Sequence, residues 1–126
     1  LLGNQHTFPV AMYGAAKLYE ILGIDAHYEK IEQFSHMGLF CAKKGDTVII
    51  FEQKNKHNLQ LVRTLRKIGL NTILVEPKTK DKVSAILFFI FVSQLVPLYH
   101  AKARHQKECY FINSKKIRAA SSDMIY

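Results

Sequence analysis

The chain has 126 residues, of which 48% are hydrophobic and 22% are charged, and its formal net charge is +8. This length fits one ordinary domain with a buried core. The positive charge favours anionic partners, but the basic residues are scattered and accompany no recognition-helix, zinc-finger or RNA-binding pattern. This favours a solvated basic surface over a nucleic-acid-binding face.

Other features bear on compartment and on the extent of the chain. Cys41 and Cys109 have neither the number nor the spacing of a disulfide framework or a zinc site, which predicts reduced, structural cysteines in apolar surroundings. No secretory signal is visible, and we predict a cytoplasmic protein. The first residue is Leu1, not Met, so we expect the chain to be the C-terminal part of a longer protein.

The first elements along the chain are a strand, a loop and a helix. Leu1 to Gly3 predicts the end of a buried strand, and a polar loop leads into a helix beginning near Pro9, where proline suits the first turn. Gly23 is a typical helix stop. Residues 24–28 predict a short strand, and residues 29–42 a partly helical excursion.

The next elements form a clearer pattern. Residues 47–51 and 71–75 are apolar runs typical of strands in a parallel sheet. Between them the spacing predicts a helix closed by Gly69, with four apolar side chains facing inward: Leu61, Val62, Leu65 and Ile68. Strand, helix and strand in this order imply a right-handed crossover.

A long apolar segment and an uncertain tail complete the chain. Residues 83–103 predict a long central helix kinked near Pro97. Its continuous apolar stretch falls short of the roughly 18 to 20 residues that span a bilayer, so we expect a core element and no membrane contact. The tail, residues 105–126, predicts a short strand at 109–112. The whole alternation predicts one α/β domain over residues 1–126, a three-layer α/β/α sandwich with a mainly parallel sheet and Rossmann-like topology.

Three ordered motifs stand out: Leu2-Gly3-Asn4-Gln5-His6-Thr7-Phe8-Pro9-Val10-Ala11, Gly14-Ala15-Ala16-Lys17-Leu18-Tyr19-Glu20 and Gln33-Phe34-Ser35-His36-Met37-Gly38. Together they resemble the sugar isomerase (SIS) domain family, most closely the second SIS half of the glucosamine-fructose-6-phosphate aminotransferases. The likeness covers about residues 1–99. It implies an α/β phosphosugar-binding module.

The resemblance also implies site residues. Glu20 matches the carboxylate that moves a proton between sugar carbons 1 and 2, a step that needs one group to take and return the proton. His36 matches a histidine associated with ring opening, which suits its near-neutral pKa. Lys17 matches a lysine near the site. In the first loop, Asn4, His6 and Thr7 are candidate substrate contacts at a helix N-terminus.

The sequence departs from the family pattern in three places. Gln33 replaces a glutamate, and Met37-Gly38 stands where the family has Gly-Pro. Residues 52–55 replace the hydroxyl-rich loop that holds phosphate, so this chain resembles the half that lends catalytic groups. The family's C-terminal loop lysine has its counterpart in Lys115 or Lys116, of which we take Lys116 as the candidate.

Besides a weaker hypothesis of nucleic-acid binding through the basic surface, two functions stay open at this point. One is part of a sugar-phosphate aldose-ketose isomerase or isomerising amidotransferase, with Glu20, His36 and Lys17 as catalytic residues. The other is a non-catalytic module that senses or scaffolds a phosphosugar. Neither requires a metal or an organic cofactor, and His100 and His105 have the wrong spacing for ligands on one helical face. The expected partners are a phosphosugar and either a second SIS half or further copies of the chain.

Overall fold

The computed structural model describes residues 1–125 and contains two strands and seven α-helices within that range. In chain order these are α1 (Phe8–Leu22), α2 (Ile31–Gln33), a π-helical turn (Phe34–Gly38), α3 (Leu39–Cys41), β1 (Thr47–Phe51), α4 (Lys56–Lys67), β2 (Asn71–Val75), α5 (Lys82–Ala103), α6 (Tyr110–Asn113) and α7 (Lys115–Ile125). Both regular strands have the predicted bounds. The helical excursion predicted at residues 29–42 is present as α2, the π-helical turn and α3.

The sheet has a parallel core of two strands. β1 pairs with β2 from Thr47 opposite Asn71 to Phe51 opposite Val75. On the other side of β1, Leu2 forms isolated parallel bridges with Ile50 and with Glu29. The predicted strand at residues 24–28 is wrong, because only the following residue makes a bridge, and most of this polar segment is exposed.

Apolar side chains lie on both faces of this small sheet, as strand alternation requires. Val48 and Ile50 belong to one buried cluster, with the α4 side chains of Val62 and Leu65. Phe51 belongs to the other cluster, whose remaining buried members come from α1 and α5: Val10, Ala11, Ala85 and Phe89. The structure thus shows a mixed fold with a small parallel sheet. The predicted three-layer sandwich is not established by a sheet of two regular strands, and it stays a prediction.

The ends of α1 and α4 follow from their terminal residues. Pro9 lies in the first turn of α1, and Gly23 ends the helix with a φ of 65°, as predicted. Helix α4 ends at Lys67, one residue before Ile68, and Gly69 follows with a φ of 90°. Ile68 therefore lies outside the helix and is exposed, so the prediction that it faces inward is wrong.

Helix α5 packs on α1 through a narrow stripe. Its buried residues recur at every fourth position: Ala85, Phe89, Ser93, Pro97 and Ala101. Small residues on α1 permit close approach, since a Cβ at Gly14 would lie 3.2 Å from Ser93 Oγ. Helix α5 passes the length and composition test for a membrane span, and 22% of its most apolar 18-residue window is buried. One face of α5 is therefore part of the core, as predicted, whereas the length and composition of the helix exceed what the sequence prediction allowed.

The tail is helical, and the predicted strand at residues 109–112 is wrong. The tail returns to the end of α1 and does not reach the sheet. A Cβ at Gly23 would lie 2.6 Å from Tyr110 Cγ, and Gln106 Nε2 donates a hydrogen bond to the carbonyl of Ile21. Cys41 and Cys109 are free and exposed, which contradicts the expected apolar surroundings.

Candidate functional site

The loop between Leu2 and α1 is a tight turn closed by Thr7. The Thr7 amide donates to the Asn4 carbonyl at 2.8 Å, and the Thr7 hydroxyl oxygen lies 2.9 Å from the same carbonyl oxygen. Gly3 is required here because a Cβ would lie 2.5 Å from the Thr7 carbonyl oxygen. Gln5, at the tip, has a φ of 42°, in the left-handed region. The loop is therefore held in one shape by its own backbone.

A carboxylate from the end of β1 completes this turn. Glu52 Oε1 accepts hydrogen bonds from the Asn4 amide at 2.9 Å and from the Thr7 hydroxyl at 2.7 Å. The Asn4 side chain in turn accepts from the Ile31 amide at 3.1 Å. We call Asn4, Thr7 and Glu52 the loop cluster. It lies where Leu2 and β1 end, the edge of a parallel sheet at which ligands commonly bind.

The loop cluster has a defined charge. A carboxylate near the start of α1 is favoured by the helix dipole. Glu52 therefore provides the negative charge that a bound anion would otherwise bring to this position, and it engages the Thr7 hydroxyl. In the sequence, Glu52 stands out only because residues 52–55 depart from the hydroxyl-rich loop that holds phosphate in the SIS family. Its position as the first polar residue after a buried strand was the signal that could have identified it.

An aromatic and cationic patch lies beside the first turn of α1. The rings of Phe8 and Tyr28 have centroids 5.9 Å apart, and Lys30 Nζ lies 5.7 Å from the Phe8 centroid. His6, in the same loop, is exposed. Tyr28 and Lys30 flank Glu29, which bridges to Leu2, so the pairing of Leu2 brings both residues toward the loop. No sequence motif pointed to Tyr28 or Lys30.

Glu20 and Lys17 form an ion pair on the exposed side of α1. Lys17 Nζ lies 2.5 Å from Glu20 Oε2, and the side chains are 26% and 50% exposed. The hydrogen bond to Glu20 raises the pKa of Lys17. Tyr13 contributes a ring face 5.3 Å from the same ammonium group. The Glu20 carboxylate is accessible to solvent, with its charge balanced by Lys17.

His36 lies in the π-helical turn, with an exposed side chain. The turn packs against Glu29, because a Cβ at Gly38 would lie 2.5 and 2.7 Å from its two carboxylate oxygens. A larger residue at position 38 would displace the Glu29 carboxylate from this position. Glu29 Oε2 is buried and has no hydrogen-bond partner among the described residues. A π-helical turn of this kind is frequent at functional sites.

The predicted site residues fall into separate places. Asn4 and Thr7 are brought together, whereas Glu20 lies near the far end of α1, a rise of about 20 Å from Thr7. Lys115 and Lys116 lie in the first turn of α7 and are exposed. The two concave spaces described for residues 1–125 are lined by none of the predicted residues. Within the same range, no group of three or more His, Cys, Asp or Glu residues could hold a metal ion.

Comparison with known proteins gives similarity at the level of structure. No protein-family model matches the chain, and no curated protein matches it. The crystal structure of a "putative phosphosugar isomerase" from Salmonella typhimurium LT2 superposes with a TM-score of 0.64 and 12% sequence identity. The match covers 86% of this chain and 36% of the Salmonella chain, so it spans about a third of that protein. At this identity, the likeness shows that the chain shares the fold of part of that structure.

Proposed function

We propose that the chain is a phosphosugar-binding domain of the SIS type that forms one side of a composite site. The observation that carries this proposal is the shared fold with a phosphosugar isomerase over 86% of the chain. The loop cluster adds support, since it places fixed polar groups at the sheet edge where this class of fold binds ligands.

The chemistry of the loop cluster favours the sugar over the phosphate. Glu52 is an acceptor, and its remaining lone pairs suit the hydroxyl groups of a sugar. A phosphate dianion at the same position would be repelled by this carboxylate. Lys30 and His6 are the nearby groups able to meet an anion, and the aromatic rings beside Lys30 suit the apolar face of a sugar ring. We infer that the main phosphate contacts come from the other side of the composite site.

The isomerase hypothesis gives Glu20 the central part. Its carboxylate would take a proton from one sugar carbon and return it to the next, with Lys17 polarising the substrate and His36 assisting ring opening. Glu20 is exposed, and within residues 1–125 its ion-pair partner is Lys17, so substrate binding could compete for the lysine without opening the core. We propose these roles for either an aldose-ketose isomerase or the isomerising part of an amidotransferase.

A single copy of the domain does not bring these groups together. About 20 Å of α1 separates Thr7 from Glu20, which exceeds the size of a hexose phosphate. We therefore propose that Glu20 acts on a sugar held largely by a second SIS half or by another copy, while the loop cluster contacts the sugar of a different substrate molecule. This division agrees with the absence of a hydroxyl-rich phosphate loop at residues 52–55.

The non-catalytic alternative is supported by the same separation. A module that only binds phosphosugar would need the loop cluster and its neighbours but not Glu20. The Lys17 and Glu20 pair would then be an ordinary helical ion pair, which stabilises a helix by roughly 0.2 to 0.5 kcal/mol.

Proton exchange distinguishes the two hypotheses. Fructose 6-phosphate and glucosamine 6-phosphate are incubated with the protein in deuterated water, and NMR follows deuterium at carbon 1 of the ketose and at carbon 2 of the aldose. The matched variants are Glu20→Gln and Glu76→Gln, since Glu76 is also exposed and pairs with a lysine, Lys54, at 3.7 Å. The isomerase hypothesis predicts exchange that Glu20→Gln abolishes and Glu76→Gln preserves. Saturable binding without exchange would establish the binding module, and no binding would refute both.

A further inference from the structure

Three side chains of α1 form a stripe that ends at the carboxylate proposed to move the proton. They are Tyr13, Lys17 and Glu20, separated by four and then three residues. At about 100° per residue, they lie within about 60° of one another around the helix. Lys17 Nζ lies 5.3 Å from the centroid of the Tyr13 ring and 2.5 Å from Glu20 Oε2. The Lys17 ammonium group is therefore held between an aromatic face and a carboxylate.

Gln94 on α5 fixes the Tyr13 side chain from outside α1. Gln94 Nε2 donates a hydrogen bond to the Tyr13 hydroxyl oxygen at 2.7 Å. The two helices approach closely at the same level, since a Cβ at Gly14 would lie 3.2 Å from Ser93 Oγ. Tyr13 is partly buried there. Its hydroxyl end is thus tied to α5 while its ring face contacts Lys17, which an ordinary pair of neighbours on one helix would not require.

The isomerase hypothesis requires Lys17 to stay in place while its hydrogen bond to Glu20 is exchanged for one to substrate. A carboxylate that accepts a hydrogen bond from an ammonium group is a weaker base, so Glu20 takes a proton more readily once substrate draws the lysine donors away. A lysine freed in this way has a flexible four-carbon stem and many rotamers. A ring face attracts the cation without using its N–H groups, so Tyr13 can hold Lys17 during this exchange.

We propose that Tyr13 is a positioning residue that holds the Lys17 ammonium group beside Glu20 through its ring face, with Gln94 fixing the ring. Neither Tyr13 nor Gln94 belongs to the motifs that predicted Lys17 and Glu20. The consequence for turnover rests on the proposed isomerase function. The contact between Tyr13 and Lys17 does not, and it is measured without substrate.

NMR of the protein at neutral pH tests the contact, with circular dichroism as the check on folding. The ε-methylene protons of Lys17 are followed, because a ring face moves nearby protons upfield. Tyr13→Leu removes the ring, and Tyr13→Phe keeps it but loses the hydrogen bond from Gln94. Tyr19→Leu is the matched control, since Tyr19 lies about 160° around α1 from Lys17 and its hydroxyl donates to Asp25. We expect the upfield shift in the wild type and in Tyr19→Leu, a smaller one in Tyr13→Phe and its loss in Tyr13→Leu.

The proton-exchange assay measures the consequence for turnover with the same variants. We expect kcat to fall about two- to fivefold in Tyr13→Leu, which is the effect of one exposed cation–π contact, and to change less in Tyr13→Phe. Tyr19→Leu should match the wild type. An upfield shift that is absent from the wild type or survives Tyr13→Leu, equal losses in Tyr13→Phe and Tyr13→Leu, or an equal effect of Tyr19→Leu would overturn the proposal. Absence of exchange in the wild type would instead refute the isomerase hypothesis, and the methylene shifts would still establish or overturn the contact.

Discussion

Two adjacent phenylalanines on α5 provide a sharp test of which face of this helix packs against the core. Phe89 is 1% exposed, and its ring meets that of Phe51 edge to face, with centroids 5.7 Å apart. Phe88 is the next residue on the same helix and is 40% exposed. The pair therefore has the same chemistry and nearly the same position along the helix, but opposite environments.

Replacing each phenylalanine with alanine has very different expected costs. A buried Phe→Ala substitution removes about 3–5 kcal/mol, because the lost contacts and the remaining cavity both destabilise the fold. This is a large share of the roughly 5–15 kcal/mol that stabilises a typical domain. Phe88→Ala removes a half-exposed ring and leaves no enclosed cavity, so we expect a cost of about 1 kcal/mol.

Urea denaturation followed by circular dichroism measures both changes. With a slope of about 2 kcal/mol per molar urea, Phe89→Ala should lower the midpoint by about 2 M, and Phe88→Ala by about 0.5 M. The measurement is made on dilute protein, so that contacts between copies do not contribute. An equal or larger effect of Phe88→Ala would show that α5 is seated in another rotation, and the account of both its faces would fail.

Three further predictions concern the loop and the helix starts. Gly3→Ala should cost about 1–3 kcal/mol or more in urea denaturation, because its Cβ would meet the Thr7 backbone. Asn55→Ala should cost about 1 kcal/mol in the same assay, since the Asn55 side chain accepts from the Asn58 amide at 2.8 Å; an unchanged midpoint would refute the cap. Hydrogen bonds from the first turn of α5 lower the pKa of Asp81. The Asp81 carboxylate therefore stabilises the fold fully above its unfolded pKa of about 3.9, and this contribution is lost as the pH falls through the lower pKa of the folded state. In Asp81→Asn, the free energy of unfolding should therefore fall less steeply as the pH is lowered. An unchanged pH dependence would contradict this.

The parts of the fold with strong local signals were predictable. β1 and β2 are mostly apolar runs between turn residues, and their bounds agree with the prediction at every residue. The strand predicted at residues 24–28 and the strand predicted in the tail were wrong because strand formation depends on a partner edge, which local sequence does not specify. Gln106 and Tyr110 instead contact the end of α1, and such distant contacts are not visible in periodicity.

The candidate site was predictable only in part. The sequence placed Asn4 and Thr7 in one loop, and the structure adds Glu52, which is distant in sequence but is brought there by the parallel pairing of Leu2 with β1. The separation of Glu20 from this loop follows from the helix rise, and it implies that a single chain holds only part of the proposed site. The buried face of α5 could not be predicted, because a helix that is apolar all round carries no signal for which side is buried.

The central claim, that this domain binds a phosphosugar, is tested most directly by titrating the ¹⁵N-labelled chain with fructose 6-phosphate and following its amide resonances. The account predicts saturable shifts centred on His6, Thr7 and Lys30, together with side-chain changes near Glu20 if the exposed end of α1 also contacts sugar. Inorganic phosphate alone should not reproduce them, because Glu52 disfavours an anion at the loop cluster. Shifts that do not saturate, or that lie away from both regions, would contradict the claim.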